Sequence, residues 1–208
     1  MNLIKQNIVL MELNNIFPDL NDKDNYIFIG KFHKHKYYKD INVFTDFDVN
    51  DIESNTKWNC KLSSNFHSKD DIKNDRLLKY DIFDELSKDI LSYVQKEIKK
   101  HNIPNIRIIK KIFYIDGEDL WYNIYKKGFY QERHNHAGLK NILSGIYYYR
   151  SPSTIRFYKY PHEVIANFQP VEGDIILFPS TINHSVPKYN GDDIRISFAF
   201  NLGIRGLR

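Results

Sequence analysis

Residues 174–201 read DIILFPSTINHSVPKYNGDDIRISFAFN. Short β-branched or aromatic runs alternate here with chain breakers. Asp174 to Phe178, His184 to Lys188 and Ile194 to Asn201 have strand character, and Pro179 and Asn190-Gly191 interrupt them. Asn190-Gly191, between the last two runs, is a hairpin signal. Toward the N-terminus, Thr154 to Tyr160, Ile142 to Tyr149, Leu120 to Tyr125 and Ile106 to Ile115 have the same character. So many short strands in one stretch predict a closed or two-sheet β architecture: a mainly β, α+β chain whose jelly-roll barrel carries helical support on one side.

Upstream of Pro104 the period changes. Leu78, Ile82, Leu86, Ile90, Val94 and Ile98 recur every four residues, with Phe83 and Leu91 beside them and charged residues at most other positions. This predicts an amphipathic helix over about 77–100, with one stripe packed on a core. Residues 20–75 are polar and turn-rich, with short strand-like pieces such as Tyr26 to Gly30. The 208 residues suit a single domain over 1–208, with an N-terminal segment (1–105) and a jelly-roll core (106–208).

Composition narrows the function classes. No apolar run reaches membrane-spanning length, so no membrane span is expected. The single cysteine, Cys60, excludes an intrachain disulfide and a multi-cysteine zinc site. The first residues show no signal-peptide pattern, so a reducing, cytoplasmic location is expected. The net charge of +4 comes from 30 basic residues interleaved with 26 acidic ones, too mild a balance to argue for nucleic acid.

Among the eight histidines, His33-Lys-His35 lies in the lysine-rich segment KFHKHKYYK, and its better reading is a solvated face. His134-Asn-His136 follows a strand, where residues two apart point to the same side. Both imidazoles can then meet one ion, with His184 at the start of a late strand as third ligand. That facial arrangement leaves positions open for substrates, the geometry that oxygen-activating iron needs. The alternative is a surface pair with a histidine at the core edge.

Arg195 and Ser197, two apart on the following strand, can point together into the barrel. A guanidinium with a neighbouring hydroxyl makes a carboxylate clamp, and a buried arginine without an anion is costly. Asn123 and Tyr125, spaced in the same way on an earlier strand, can add neutral hydrogen bonds to the same small diacid. Tyr147, Tyr148, Tyr149 and Phe157 are candidates for an aromatic lining that keeps the site dry, although core or barrel surface is the better reading for most of these rings.

From Trp121 to Asn201 the chain resembles an uncharacterised group of 2-oxoglutarate- and Fe(II)-dependent oxygenases. The resemblance is carried by Trp121-Tyr-Asn123, Gly128, His134-Asn-His136, Ser144-Gly-Ile-Tyr147-Tyr148, Pro170-Val-Glu-Gly173, Leu177-Phe-Pro-Ser180, His184-Ser-Val186 and Arg195-Ile-Ser-Phe-Ala-Phe-Asn201. It implies a double-stranded β-helix, Fe(II), 2-oxoglutarate as cosubstrate and O2, with hydroxylation of a C–H bond and release of succinate and CO2. It also implies that His134 and His184 hold iron, and that Arg195 and Ser197 bind the distal carboxylate of 2-oxoglutarate. Asn123 and Tyr125 would assist, as a similar Asn-x-Tyr does in the nucleic-acid demethylase branch.

One departure matters. Where most of these oxygenases carry His-x-Asp or His-x-Glu, this chain has His136. Either His136 is the third ligand and the site is one unit more positive, or it sits behind the ligands and a carboxylate comes from elsewhere or from the cosubstrate. A cupin-type metal dioxygenase that does not use 2-oxoglutarate shares the three-histidine site. Its motif, however, wants a Glu where Lys140 and Asn141 stand, and it has no need of the Arg195–Ser197 pair. A β-barrel binding module that has lost its metal is the non-enzymatic reading, and the intact histidines argue against it. Asn201 occupies the position of the demethylase branch's second arginine, which favours a small-molecule or protein substrate over nucleic acid. Residues 20–75 are expected to shape the substrate mouth.

Overall fold

The computed structural model describes residues 9–12, 26–32, 61–62, 77–101, 113–114, 120–137, 141–150, 152–159 and 163–204. Its elements, in order, are β1 (Val9–Glu12), β2 (Tyr26–Lys31), β3 (Lys61–Leu62), α1 (Leu77–His101), β4 (Phe113–Tyr114), β5 (Leu120–Tyr125), β6 (Gln131–His134), β7 (Asn141–Arg150), β8 (Ile155–Lys159), β9 (Glu163–Phe168), β10 (Asp174–Pro179), β11 (Asn183–Val186) and β12 (Arg195–Ile204).

The strands form two antiparallel sheets. The larger runs β1-β2-β10-β7-β12-β5-β3, with β4 also pairing β12, and the smaller runs β6-β11-β8-β9. Along the chain β5, β7, β10 and β12 enter the large sheet, while β6, β8, β9 and β11 enter the small one. The chain thus crosses repeatedly from one sheet to the other, which is the jelly-roll winding of a double-stranded β-helix.

Strand alternation gives the large sheet two buried faces. Leu120, Tyr122 and Ile124 of β5, Ile175 and Leu177 of β10, and Ile196, Phe198 and Phe200 of β12 pack in one core with Leu86, Ile90 and Val94 of α1. Their neighbours in sequence, Trp121, Ile176, Phe178 and Ala199, pack in a second core with Ile155, Phe157 and Ala166 of the small sheet. The layers are therefore helix, large sheet, small sheet. Of the expected i, i+4 stripe, Leu86, Ile90 and Val94 are among the side chains described, and all three are buried. No acidic residue occupies the first turn of α1, so a charge–dipole term of about 0.3–1 kcal/mol is missing there. Burying each stripe residue is worth about 1.5–3 kcal/mol, so packing decides where this helix lies.

The sequence-based strand bounds hold to within a few residues for β5, β7, β8, β10, β11 and β12. Of Ile106 to Ile115 only Phe113–Tyr114 lies among the described residues, and it is strand. β9 is a strand that the sequence does not announce, and the strand expected to carry both His134 and His136 is β6, which ends at His134 and leaves His136 just beyond it. The hairpin reading of Asn190-Gly191 is overturned: β11 pairs with β6 and β8, whereas β12 pairs with β4, β5 and β7. Gly191 serves another end. A Cβ there would fall on the Tyr189 ring, which packs with Tyr125 and Val186. The described parts of residues 20–75, β2 and β3, are strands of the large sheet. The rest of the expected substrate mouth, with His33, His35 and His67, lies outside the described residues.

Candidate metal centre

A cavity opens between the sheets, with about 380 Å³ of empty space counting the part continuous with solvent. Its walls include Trp121, Asn123, Tyr125, Gln131, His134, His136, Phe178, His184, Val186, Arg195 and Ser197. All seven residues singled out from the sequence as ligands or clamp therefore share one cavity.

Two adjacent strands of the small sheet bring the histidines together. His184 of β11 lies directly opposite His134 of β6. Val186 lies opposite Gln131, so β6 takes three residue steps where β11 takes two. The extra residue is a β-bulge, which shifts the parity of the strand. Gln131 and His134 both face the cavity as a result, while Glu132 and Arg133 are exposed. His136 lies just beyond the end of β6, and its backbone N–H donates to the Ser180 carbonyl at 2.9 Å.

One ring nitrogen of each histidine lies within 4.8 Å of those of the other two. The ring centroids are 4.3 Å (His134–His184), 5.1 Å (His134–His136) and 5.2 Å (His136–His184) apart. His134 Nδ1 is 2.7 Å from the Glu132 carbonyl, and His184 Nδ1 is 3.2 Å from that of Ile182. A carbonyl only accepts, so each Nδ1 carries the proton and each Nε2 keeps a lone pair for an ion. Burial depresses all three imidazole pKa values. It holds His134 below the usual range, lowers His136 to about 4 with help from neighbouring His134, and holds His184 well below the usual range, with His134 and His136 opposing its charge. Three neutral imidazoles facing one another fit a divalent transition metal, Fe(II) included. Among the described residues no Asp or Glu joins the cluster. Phe178 and Trp121 brace it, with ring centroids 4.8 Å from His184 and 5.5 Å from His136 respectively.

The four candidate clamp residues lie together on the large sheet. Arg195 lies opposite Tyr125 and Ser197 opposite Asn123, so all four side chains share one face of adjacent strands. Arg195 is 1% exposed, and its Nε and Nη1 find no hydrogen-bond partner among the described residues. Its Cζ lies 4.1 Å from the centre of the Tyr125 ring and 5.9 Å from that of Tyr148. The Tyr148 hydroxyl is likewise buried without a partner among those residues. A buried cation with unused donors is the electrostatic complement of a carboxylate. The residues present thus suit a small acid anchored at one end and a metal at the other.

Tyr147, Tyr148, Tyr149 and Phe157 do not line the cavity. Tyr147 and Tyr149 face the helix-side core, Phe157 packs behind Phe178 (5.1 Å between centroids), and Tyr148 stands behind Arg195. The aromatic walls are instead Trp121, Tyr125, Phe178 and Phe200. Gln131, whose Nε2 donates to Asn123 Oδ1 at 3.2 Å, is a wall residue that the sequence reading missed. Its spacing from His134 puts it on the opposite face of any regular strand.

Residues 158–201 match the family model described as "Putative 2OG-Fe(II) oxygenase", where 2OG is 2-oxoglutarate. The matched stretch holds His184, Arg195 and Ser197 but neither His134 nor His136. No curated protein matches the chain. Among solved structures, a prolyl-4-hydroxylase from Pseudomonas putida is similar over 93% of this chain and 100% of its own, at 13% identity and a TM-score of 0.55. A prolyl 4-hydroxylase from Phytophthora capsici is similar over 93% of this chain and 63% of its own, at 12% identity and a TM-score of 0.52. An oxidoreductase of the 2OG-Fe(II) oxygenase family from Burkholderia pseudomallei aligns over 44% of each chain, at 15% identity and a TM-score of 0.39. At these identities the two hydroxylase structures speak for the fold alone, and the fold they share with this chain is the double-stranded β-helix.

Proposed function

We propose that the protein is a non-haem Fe(II)- and 2-oxoglutarate-dependent dioxygenase that hydroxylates a C–H bond of a small-molecule or protein substrate, releasing succinate and CO2. The observation that carries this reading is the coexistence, in one cavity, of three neutral imidazoles and a buried guanidinium with unused donors. The matched family model supports it.

His134, His136 and His184 would hold the metal, which when bound supplies the oxygen-activating chemistry. The chain's own residues do the positioning. Arg195 neutralises the far carboxylate of 2-oxoglutarate through its free N–H groups, with the Ser197 hydroxyl beside it. Asn123 and Tyr125 add hydrogen bonds at the same end. The Nδ1–H bonds of His134 and His184 keep both rings in the tautomer that presents Nε2. Trp121 and Phe178 exclude water around the histidines.

A cupin-type dioxygenase would use the same histidines but gives Arg195 no counterion. The deciding experiment is anaerobic loading with Fe(II), then titration with 2-oxoglutarate, then admission of O2. We expect 2-oxoglutarate to bind the metal-loaded protein, and O2 uptake to require it and to yield succinate. Oxygen uptake that ignores 2-oxoglutarate would point to the cupin reading, and absence of metal binding would remove both.

A further inference from the structure

Three polar side chains are buried beside the metal cluster without belonging to it: Ser144 on β7, Ser180 just after β10 and Asn201 on β12, at 2%, 0% and 6% exposure. Ser144 Oγ donates to Asn201 Oδ1 at 2.8 Å. A hydroxyl has one proton, so Ser144 must accept at its other contact, the Ser180 hydroxyl at 3.0 Å. The donor order is therefore fixed, from Ser180 to Ser144 to Asn201. Ser144 lies opposite Phe178 on one side and opposite Asn201 on the other, so the chain of hydroxyls ties β10, β7 and β12 together at one level.

What this network holds is a carbonyl. The Ser180 C=O accepts the backbone N–H of His136. His134 and His184 sit on paired strands, where the ladder itself sets their positions. His136 lies past the end of β6, outside that ladder, where the Ser180 carbonyl takes its N–H and the Asn135 side chain beside it donates to Asn183 Oδ1 on β11 at 3.3 Å. We propose that Ser144, Ser180 and Asn201 are positioning residues for His136: by fixing the Ser180 backbone they fix the third imidazole. This rests on the three-histidine metal reading above. Groups that hydrogen-bond a metal ligand directly typically matter by roughly 10–100-fold in metal affinity, so these residues, one bond further out, belong at the low end of that range.

Co(II) is the probe, titrated anaerobically into the parent protein, Ser144→Ala, Ser180→Ala, His136→Ala, and each serine variant combined with His136→Ala. Thermal melts of the metal-free proteins check folding. We expect each serine variant alone to bind Co(II) roughly 10-fold more weakly than the parent, with a changed visible spectrum. In the His136→Ala background the same substitutions should alter affinity by less than about 2-fold, because the residue they act through is gone. Equal losses in both backgrounds, or no loss in the parent background, would overturn the proposal and leave the metal site standing. His136→Ala binding as tightly as the parent would also overturn it. A parent that binds no Co(II) would instead sink the metal reading itself. If Ser144→Ala does not fold, Ser180→Ala carries the comparison, since it leaves the Ser144–Asn201 bond intact.

Discussion

Arg195 is a liability to the protein while no anion faces it. A guanidinium at 1% exposure, whose buried Nε and Nη1 find no hydrogen-bond partner among the described residues, lies against the faces of Tyr125 and Tyr148. Replacing buried charge by an apolar side chain of similar volume is often neutral or stabilising by about 1–4 kcal/mol. Arg195→Met should therefore keep or raise the melting temperature of the ligand-free protein, and it should abolish the further rise that 2-oxoglutarate gives the metal-loaded parent. Calorimetry on both proteins reads the two effects separately. A destabilised ligand-free variant with an intact 2-oxoglutarate response would show that Arg195 is structural. The histidines impose a pH dependence of definite sign. Their folded pKa values are depressed, so below the usual 6.5 the unfolded chain binds more protons than the folded one. Stability from this source is complete above pH 6.5 and drains away as the pH falls, with the His136 share leaving between about 6.5 and about 4. Urea midpoints of the metal-free protein should fall across that window, and less steeply in His184→Leu. A flat profile would mean the imidazoles are not desolvated as found.

Among the elements, β7 shows how much one missing atom matters. Gly145 sits between Ser144 and Ile146, which face the cavity, and its own position faces α1. A Cβ there would enter the Phe200 ring and come within 2.9 Å of Leu177 Cδ2. The core has no slack at that point, so Gly145→Ala should cost about 1–3 kcal/mol by overpacking, measured as a lower urea midpoint with an unchanged slope. A neutral result would show that the Phe200 ring can move aside. The bulge in β6 is the second telling element. Without it, Gln131 and His134 could not both face inward, and no residue type at 132 or 133 signals it. Periodicity reads regular strands well, but a single inserted residue reverses the reading for everything beyond it.

At the scale of the whole molecule, the layers and most of the site were legible because both follow from alternation. Arg195 and Ser197 fall on one side of their strand, Asn123 and Tyr125 on one side of theirs, and the sheet sets the two pairs side by side on one face. The helix was legible because its stripe is regular. What stayed hidden depended on how the chain passes between sheets. Asn190-Gly191 has the composition of a tight hairpin but lies in a crossing from the small sheet to the large one. The Tyr147–Tyr149 run gives no hint which of its rings will meet the helix and which will meet Arg195, because that parity is fixed by β12 alongside it. Glu163–Phe168 lacks a clear alternation because its strand is mostly solvated.

The winding also governs how the molecule must come into being. β12 lies in the middle of the large sheet, between β7 and β5, although it is the last described strand in the sequence. Until it inserts, β5 and β7 present bare, hydrogen-bond-hungry edges, and Tyr125 has no arginine to stack against. A nascent chain emerging from the ribosome therefore cannot complete the pocket in stages. Arg195 and Ser197 reach the waiting Asn123 and Tyr125 late, in one long-range step, and exposed strand edges leave the protein open to sticking to its neighbours until that step is over.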